Sequence, residues 1–495
     1  MGWLANVERR ERDERMNTIP QPVRPAKYAW REVERVEPPK RPAASRVSDF
    51  HETAAAYDEA TAREQASRCI QCPNANCVAA CPLGTPIVEL LALTADGQFQ
   101  QAAEVLFAAN PLPEIASHVC IGGRVCEAAC VLGSKADPVP IRSITRFLLD
   151  YGWKHGLAEP PVAPPSGRRV AVIGSGICGL VATDVLSRRG YAMTVFDSRQ
   201  KPGGRVMNGL PGFRVDKEMV ERRLGLLERR GVQFHMNVVC GQDLHLRDLR
   251  DRFDAVFLGF GLADAVPLEI PGANLHGVYQ AHPFVSQNTA GAKPGKPEVD
   301  VRGRRVVVLG GGDTAMDALR TAIRCGASEA LCLYRRDAAN LAADAEEYAN
   351  AVEEGAKFAF QSLPVAVIGN AAGEVTAVRC LKTEPGEPDV SGRLGVKPVA
   401  NSGFEVPADV VLVAHGFAPA RLPCAGDFAE LAVDEHGCIA VDASQMTNLP
   451  GVFAGGSIVR GPAPLSEVVR DARKAAAAID SYLASRHPTN ERKLV

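Results

Sequence analysis

No stretch of this 495-residue chain approaches the roughly 18 uncharged apolar residues that a membrane span needs, and its opening MGWLANVERRERDER is charged where a secretory signal is apolar. The expectation is therefore a cytoplasmic protein with no membrane partner. Gly2 is present, but Asn6 stands where a myristoylation motif wants Ser or Thr, so no lipid anchor is expected either. A basic surplus is also missing: 56 Lys and Arg face 58 Asp and Glu, a formal charge of −2, with no basic block along the chain. Proteins that track nucleic-acid phosphates carry such a surplus, so nucleic acid is not an expected partner. Tandem repeats of the solenoid kind are absent.

What the chain does have is size, an ordinary globular balance and clustered thiols. Its length is several times that of one domain, so two to four domains are expected. Hydrophobic residues make up 46% and charged residues 23%, which suits packed cores rather than disorder. Seven of the 14 cysteines fall in two sets. Cys69, Cys72, Cys77 and Cys81 have the spacing C-x2-C-x4-C-x3-C and are followed by Pro82; Cys120, Cys126 and Cys130 have the spacing C-x5-C-x3-C. In a reducing cytosol such sets hold metal or do redox chemistry rather than form disulfides. Thiolates suit iron–sulfur clusters and zinc alike, and the run differs by a wider middle gap from the bacterial ferredoxin pattern. The other cysteines, such as Cys178, Cys325 and Cys424, lie singly in apolar or glycine-rich surroundings and read as core residues.

Residues 1–50 are charged and proline-rich and read as an extended arm that docks on a neighbour. Residues 51–157 carry helical patterns such as IVELLALTADGQFQQAAEVLFAAN, interrupted by cysteine loops, and read as a small helical domain built around its thiols. Beyond the linker EPPVAPPSGRR, short Val/Ile/Leu strands alternate with helices, the pattern of a parallel α/β sheet covered on both faces.

Two strand–turn–helix–strand units stand in this α/β region. The first, RRVAVIGSGICGLVATDVLSRRGYAMTVFD, has Gly174, Gly176 and Gly179 in G-x-G-x-x-G order and Asp197 at the end of its second strand. The glycines let a pyrophosphate approach a helix N-terminus, and the acid can accept hydrogen bonds from ribose hydroxyls. The second, RRVVVLGGGDTAMDALRTAIRCGASEALCLYRRD, has Gly310, Gly311 and Gly312, with Asp313 and Thr314 after them and Ala315 at the third glycine position. Arg335 and Arg336 replace the acid, and their fixed charge and forked donors suit a 2′-phosphate, favouring NADP(H) over NAD(H). Two such sites imply one flavin and one nicotinamide. TNLPGVFAGGSIVRG, with Gly455, Gly456 and Ser457, has the pattern that closes a flavin domain, and it comes after the second unit. The expected division is therefore an FAD domain split over 165–283 and 406–495, with an NADP(H) domain at 284–405 inserted between its parts. KPGGRVMNGLPGFR, with Gly203, Gly204 and Arg205, is expected along the flavin. Histidines such as His155, His235, His282 and His415 are scattered, and no catalytic acid, base or nucleophile is assigned.

In this order, CIQC…CVAACPLG, HVCIGGRVCEAACVLG…DPVPIRSI, the two glycine turns, LYRRD and GVFAGGSIVRG resemble the small (beta) subunit family of bacterial glutamate synthase, which includes the electron-input module of dihydropyrimidine dehydrogenase. The resemblance implies an α/β protein with a helical N-terminal iron–sulfur domain before two Rossmann-like domains. It implies FAD, NADP(H) and two [4Fe–4S] clusters, one held by Cys69, Cys72, Cys77 and Cys130 and the other by Cys81, Cys120 and Cys126. Its function would be to take hydride from NADPH and pass single electrons to a large catalytic subunit or another acceptor protein in a hetero-oligomer. A self-sufficient reductase of ferredoxin or a small acceptor is the alternative, and a scaffold without turnover is a third. Two departures stand out: Ser457 where the family has Asp after the glycines, and Thr145 where relatives supply a Glu or Gln ligand to the second cluster.

Overall fold

A computed structural model describes residues 28–120, 123, 125–156, 160–289, 298–388, 394–419 and 427–486. The chain divides into two compact units. The first comprises Met1–Pro39, Ala56–Pro113 and Gly122–Glu159; the second comprises Lys40–Ala55, Glu114–Ile121 and Pro160–Val495.

The first unit is helical. Asp58 caps helix α1 (Glu59–Ser67) by accepting from the Thr61 amide, which satisfies one of the amides a helix start leaves free. The long apolar stretch that follows the cysteine run forms two helices, α2 (Ile87–Ala95) and α3 (Phe99–Ala109), because Gly97 takes the left-handed conformation at φ +77° between them. Together with α4 (Ile141–Lys154) they bury Leu90, Leu91, Leu106, Ile144, Phe147 and Leu148 in one core. Cys69, Cys77, Cys81, Cys126 and Cys130 pack against its edge.

The second unit holds two parallel sheets. Strands β1 (Arg169–Ile173), β2 (Ala192–Asp197), β3 (Gln233–Met236) and β4 (Ala255–Leu258) form the first sheet together with the last strand of the chain, Val452–Ala454, which pairs in parallel with β4. The chain leaves this sheet through β5 (Leu262–Ala265) and builds the second from β6 (Val278–Gln280), β7 (Arg305–Leu309), β8 (Glu329–Leu333), β9 (Lys357–Ala359) and a strand at Val410–Val413, in the order β6, Val410–Val413, β7, β8, β9. Between β9 and Val410–Val413 it adds an antiparallel sheet of β10 (Ser362–Gly369), β11 (Val375–Pro388), β12 (Leu394–Pro398) and β13 (Phe404–Pro407). The strand Val410–Val413 is β14; the return crossing, β15 (Phe417–Pro419), pairs antiparallel with β5, and Val452–Ala454 is β16. The two chain crossings between the sheets thus form one ribbon.

The first sheet does draw on both ends of the second unit. The second sheet, however, takes β6 and β14, strands that boundaries at 283/284 and 405/406 leave on the flavin side. Both lie in continuous apolar runs that suit any central parallel strand, so only pairing assigns them. Of the expected N-terminal arm, residues 1–27 lie outside the described residues, 28–39 belong to the first unit, and 40–50, with a short helix at Ala43–Arg46, fold with 51–55 into the second.

Candidate functional site

The first glycine turn follows β1. Gly174 sits at φ +97°, and a Cβ there would lie 2.8 Å from the Phe260 backbone. A Cβ on Gly179 would lie 1.8 Å from the Gly174 carbonyl oxygen, so helix α5 (Ile177–Arg188) packs on the turn only with glycine there. Gly176 caps α5 and has open space at its Cβ, which leaves the helix N-terminus approachable. Asp197 ends β2, but one carboxylate oxygen accepts from both the amide and the hydroxyl of Ser175 at 2.7 Å, and the other accepts from the Arg199 amide at 2.9 Å. It braces the turn.

Two later segments close on this turn. Gly203 and Gly204 both have positive φ, and a Cβ on Gly204 would lie 2.5 Å from the Gly176 Cα. The Gly203 amide donates to the Ser175 carbonyl at 3.1 Å. Gly456, at φ +75°, is pressed against Cys178 of α5, whose sulfur would lie 2.8 Å from an added Cβ. Gly455 donates to the Leu258 carbonyl at 3.2 Å, and Ser457 opens the helix Ser457–Arg460. Sequence-distant glycines at 174–179, 203–204 and 455–456 therefore meet at one turn. Arg205 is different: its Nη2 donates to the Leu262 carbonyl of β5 at 2.5 Å, and its guanidinium lies 3.5 Å from the centroid of the Phe417 ring of β15. Its side chain grips the ribbon. Burial lowers it to about 10, and burial with Arg205 nearby lowers His282 to about 4, so that imidazole is neutral.

The second turn follows β7. Gly310 has φ +127°, and a Cβ there would lie 2.5 Å from the Ala414 carbonyl oxygen after β14; one on Gly311 would meet the Tyr334 ring at 2.5 Å. Gly312 is open and caps helix α6 (Asp313–Arg324). Thr314 is half-buried in its first turn, and the Asp313 carboxylate accepts from the Asp344 amide at 2.8 Å. Arg335 and Arg336, just past β8, line a cavity with Gln361, Thr383, Glu384 and Leu394. Arg336 Nε donates to the Leu394 carbonyl at 2.7 Å, and Thr383 donates to the Arg335 carbonyl at 2.6 Å. Half of this cavity comes from the β11–β12 hairpin, which carries no nucleotide-site motif and was invisible to motif reading.

In the first unit, Cys69, Cys72, Cys77 and Cys130 line one pocket, with Ile70, Val88, Leu91, Leu132 and Val139 among its walls. The Gln71 and Val78 amides point at the Cys69 and Cys77 sulfurs. Gln71 takes φ +56° in the C-x-x-C turn, and its buried Nε2 has no partner among the described residues. Burial lifts the Cys69 thiol to about 12, with the neighbouring thiols adding to it, so metal must displace protons to bind there. Arg68 is missed by motif reading: it is 2% exposed, donates to the carbonyls of Val33, Asp137 and Pro138, and sets a positive charge near Cys130. Its signal is the arginine immediately before the first cysteine. No three His, Cys, Asp or Glu side chains among the described residues are arranged to hold a single metal ion. Four thiols around an open, apolar volume fit a polynuclear iron–sulfur cluster better than one tetrahedral zinc.

Cys81 and Cys126 are half-buried in the first unit, with Cys81 Sγ 3.5 Å from the Thr85 hydroxyl, and Cys120 lies in the segment assigned to the second unit. The Thr145 hydroxyl donates to the Ile141 carbonyl at 2.8 Å, so its hydrogen is spent within its own helix. Of the single cysteines, Cys178, Cys332, Cys380 and Cys438 are buried, Cys240 and Cys325 are half-buried, and Cys424 lies outside the described residues.

Comparison with known proteins fits this geometry. Residues 46–157 match the family described as dihydropyrimidine dehydrogenase domain II, 4Fe-4S cluster, and residues 168–478 match pyridine nucleotide-disulphide oxidoreductase. The glutamate synthase [NADPH] small chain of Escherichia coli is 37% identical over 469 residues, covering 92% of this chain and 98% of that one. The chain belongs to the glutamate synthase small-chain family. The small chain of Azospirillum brasilense is 39% identical over 454 residues, covering 90% and 94%. Among solved structures, Mycobacterium tuberculosis FprA in complex with NADPH is similar at a TM-score of 0.54 and 21% identity, over 65% of this chain and 85% of that one, a likeness of fold. As a glutamate synthase small-chain relative, the protein is a nicotinamide-dependent flavin and iron–sulfur oxidoreductase with two Rossmann-like sheets. No helix among its described residues is long and apolar enough to cross a membrane.

Proposed function

We propose that this chain is the electron-input subunit of a larger complex: it oxidises NADPH at the turn Gly310–Thr314, holds FAD at the turn Gly174–Gly179, and delivers electrons singly through [4Fe–4S] clusters to a large partner subunit of the glutamate synthase type. The observation that carries the reading is the cavity ringed by Cys69, Cys72, Cys77 and Cys130 in a chain that also has two nucleotide turns. A flavin can accept two electrons together and release them one at a time, which a nicotinamide cannot.

The residues supply binding and placement. Gly176 and Gly312 leave two helix N-termini open to pyrophosphates, and the cavity at Arg335 and Arg336 would receive the 2′-phosphate that separates NADPH from NADH. Arg68 brings a positive charge to the thiolate cavity, offsetting part of the cost of gathering anionic ligands. Ser457, in place of an acid, can still give or take one hydrogen bond beside the flavin turn.

The test is anaerobic titration of the purified holoprotein with NADPH. Stoichiometric bleaching of the flavin, followed by a paramagnetic signal from reduced clusters, and recovery of a large subunit by pull-down from the native host are expected. A flavin that NADPH leaves oxidised would sink the proposal. Bleaching with no large partner recovered, and rapid turnover with a ferredoxin instead, would replace it with the stand-alone reductase.

A further inference from the structure

The segment Gly203–Lys217 runs from the first nucleotide turn to the body of α6. At its start, Gly204 lies against Gly176 of the first turn. Near its end, Phe213, 3% exposed, is wedged against α6, the helix that begins at the second turn. The guanidinium groups of Arg320 and Arg324 lie 4.1 and 4.2 Å from the Phe213 ring centroid, and Phe50 stacks on the same ring at 6.1 Å with planes 25° apart. Arg214 then pairs with Asp317 at 3.1 Å and with Glu347 at 3.2 Å. Asp317, Arg320 and Arg324 recur at helical spacing, so one face of α6 is held while its N-terminus stays open.

The strap Lys40–Ala55 closes the wedge from outside. Arg324 donates to the Asp49 carbonyl at 2.8 Å, Arg320 donates to the Thr53 hydroxyl at 2.6 Å, and a Cβ on Gly212 would lie 2.5 Å from the Phe50 carbonyl oxygen. Arg46, 1% exposed, adds bonds to Glu353 at 2.6 Å and Glu354 at 2.8 Å. These contacts are aromatic, ionic and buried, and interdigitated cores deform in steps rather than continuously.

We propose that Phe213 is a positioning residue for transfer between the two nucleotide sites: with the strap at Phe50 it sets the distance of the second turn from the first. This rests on the functional reading above. Phe213 lines neither turn; it acts through α6. Losing the ring opens a void between the strap and α6 and lets the helix drift, and small misplacement of reacting groups is costly in rate.

The experiment compares wild-type holoprotein with Phe213→Leu, Phe213→Tyr and Phe50→Ala by anaerobic stopped flow. Phe213→Leu and Phe50→Ala are expected to slow flavin bleaching by NADPH on the order of 10- to 100-fold. Flavin content, NADPH dissociation constant and bleaching by dithionite should stay near wild type, Phe213→Tyr should restore the rate, and hydrogen exchange over 313–324 should quicken in the slow variants. An unchanged bleaching rate in both ring-deleted variants, or a rate loss matched by an equal loss of NADPH affinity, would overturn the positioning role alone. A wild-type flavin that NADPH does not bleach would overturn the functional reading, and the positioning role with it.

Discussion

Past the end of β8, Arg335 and Arg336 share one cavity but not one set of bonds, since Arg336 already gives its Nε hydrogen to the Leu394 carbonyl. That bond fixes the plane of its guanidinium. Charge-assisted bonds to a phosphate are strong, and NADH has no 2′-phosphate to make them with. Replacing both arginines by glutamine is expected to raise KM for NADPH far more than for NADH, by about 2–4 kcal/mol in the ratio of kcat/KM values. Steady-state kinetics with both nicotinamides checks this; equal losses would show that the pair serves the fold rather than the phosphate.

Among the elements, two loops far apart in sequence build the thiol cavity: the turn at 69–77 supplies three cysteines and the loop before the helical turn Val131–Ser134 supplies Cys130. The nearer Cys81 is not among its lining residues, because the chain leaves the cavity through the short helix Asn76–Ala80. Cys130→Ser is therefore expected to abolish the same paramagnetic signal as Cys69→Ser, with loss of the same iron, whereas Cys81→Ser leaves that signal in place. Resonance spectra and iron content of the three reduced variants check the pairing. A Cys81→Ser variant that lacks the Cys69 signal would mean that the first four cysteines serve one cluster.

Across the whole molecule, the second unit depends on buried charge as well as on apolar packing. Glu354, with no side-chain exposure, receives Arg46, Arg320 and Arg324. Burial alone would raise its carboxyl, but the bonds from Arg320 and Arg324 outweigh that and hold it at about 2, below its ordinary 4.5. The folded state then binds fewer protons than the unfolded one, so this contribution is complete above pH 4.5 and is lost as pH falls towards 2. Glu354→Gln is expected to cost about 3–5 kcal/mol at neutral pH, because it leaves buried arginines uncompensated, and the gap from wild type should narrow as pH falls below 4.5. Urea unfolding followed by flavin fluorescence at several pH values measures it; a gap independent of pH would show that Glu354 acts by packing rather than charge.

Local chemistry was legible in the sequence: the glycine turns, because Gly174, Gly179 and Gly310 stand where any Cβ would strike backbone, and the helices of the first unit, because apolar spacing is a local signal. The return of Val452–Ala454 to the first sheet was legible too, through its glycine pair. Pairing was not. Whether β6 and β14 join one sheet or the other, that the two crossings zip into a ribbon under Arg205, that the β11–β12 hairpin walls the cavity at Arg335, and that residues 40–55 fold over α6 are decided by contacts between residues far apart in the chain. An apolar strand or a charged strap reads the same wherever it docks, so its partner is set only when the whole chain competes for the same buried surface.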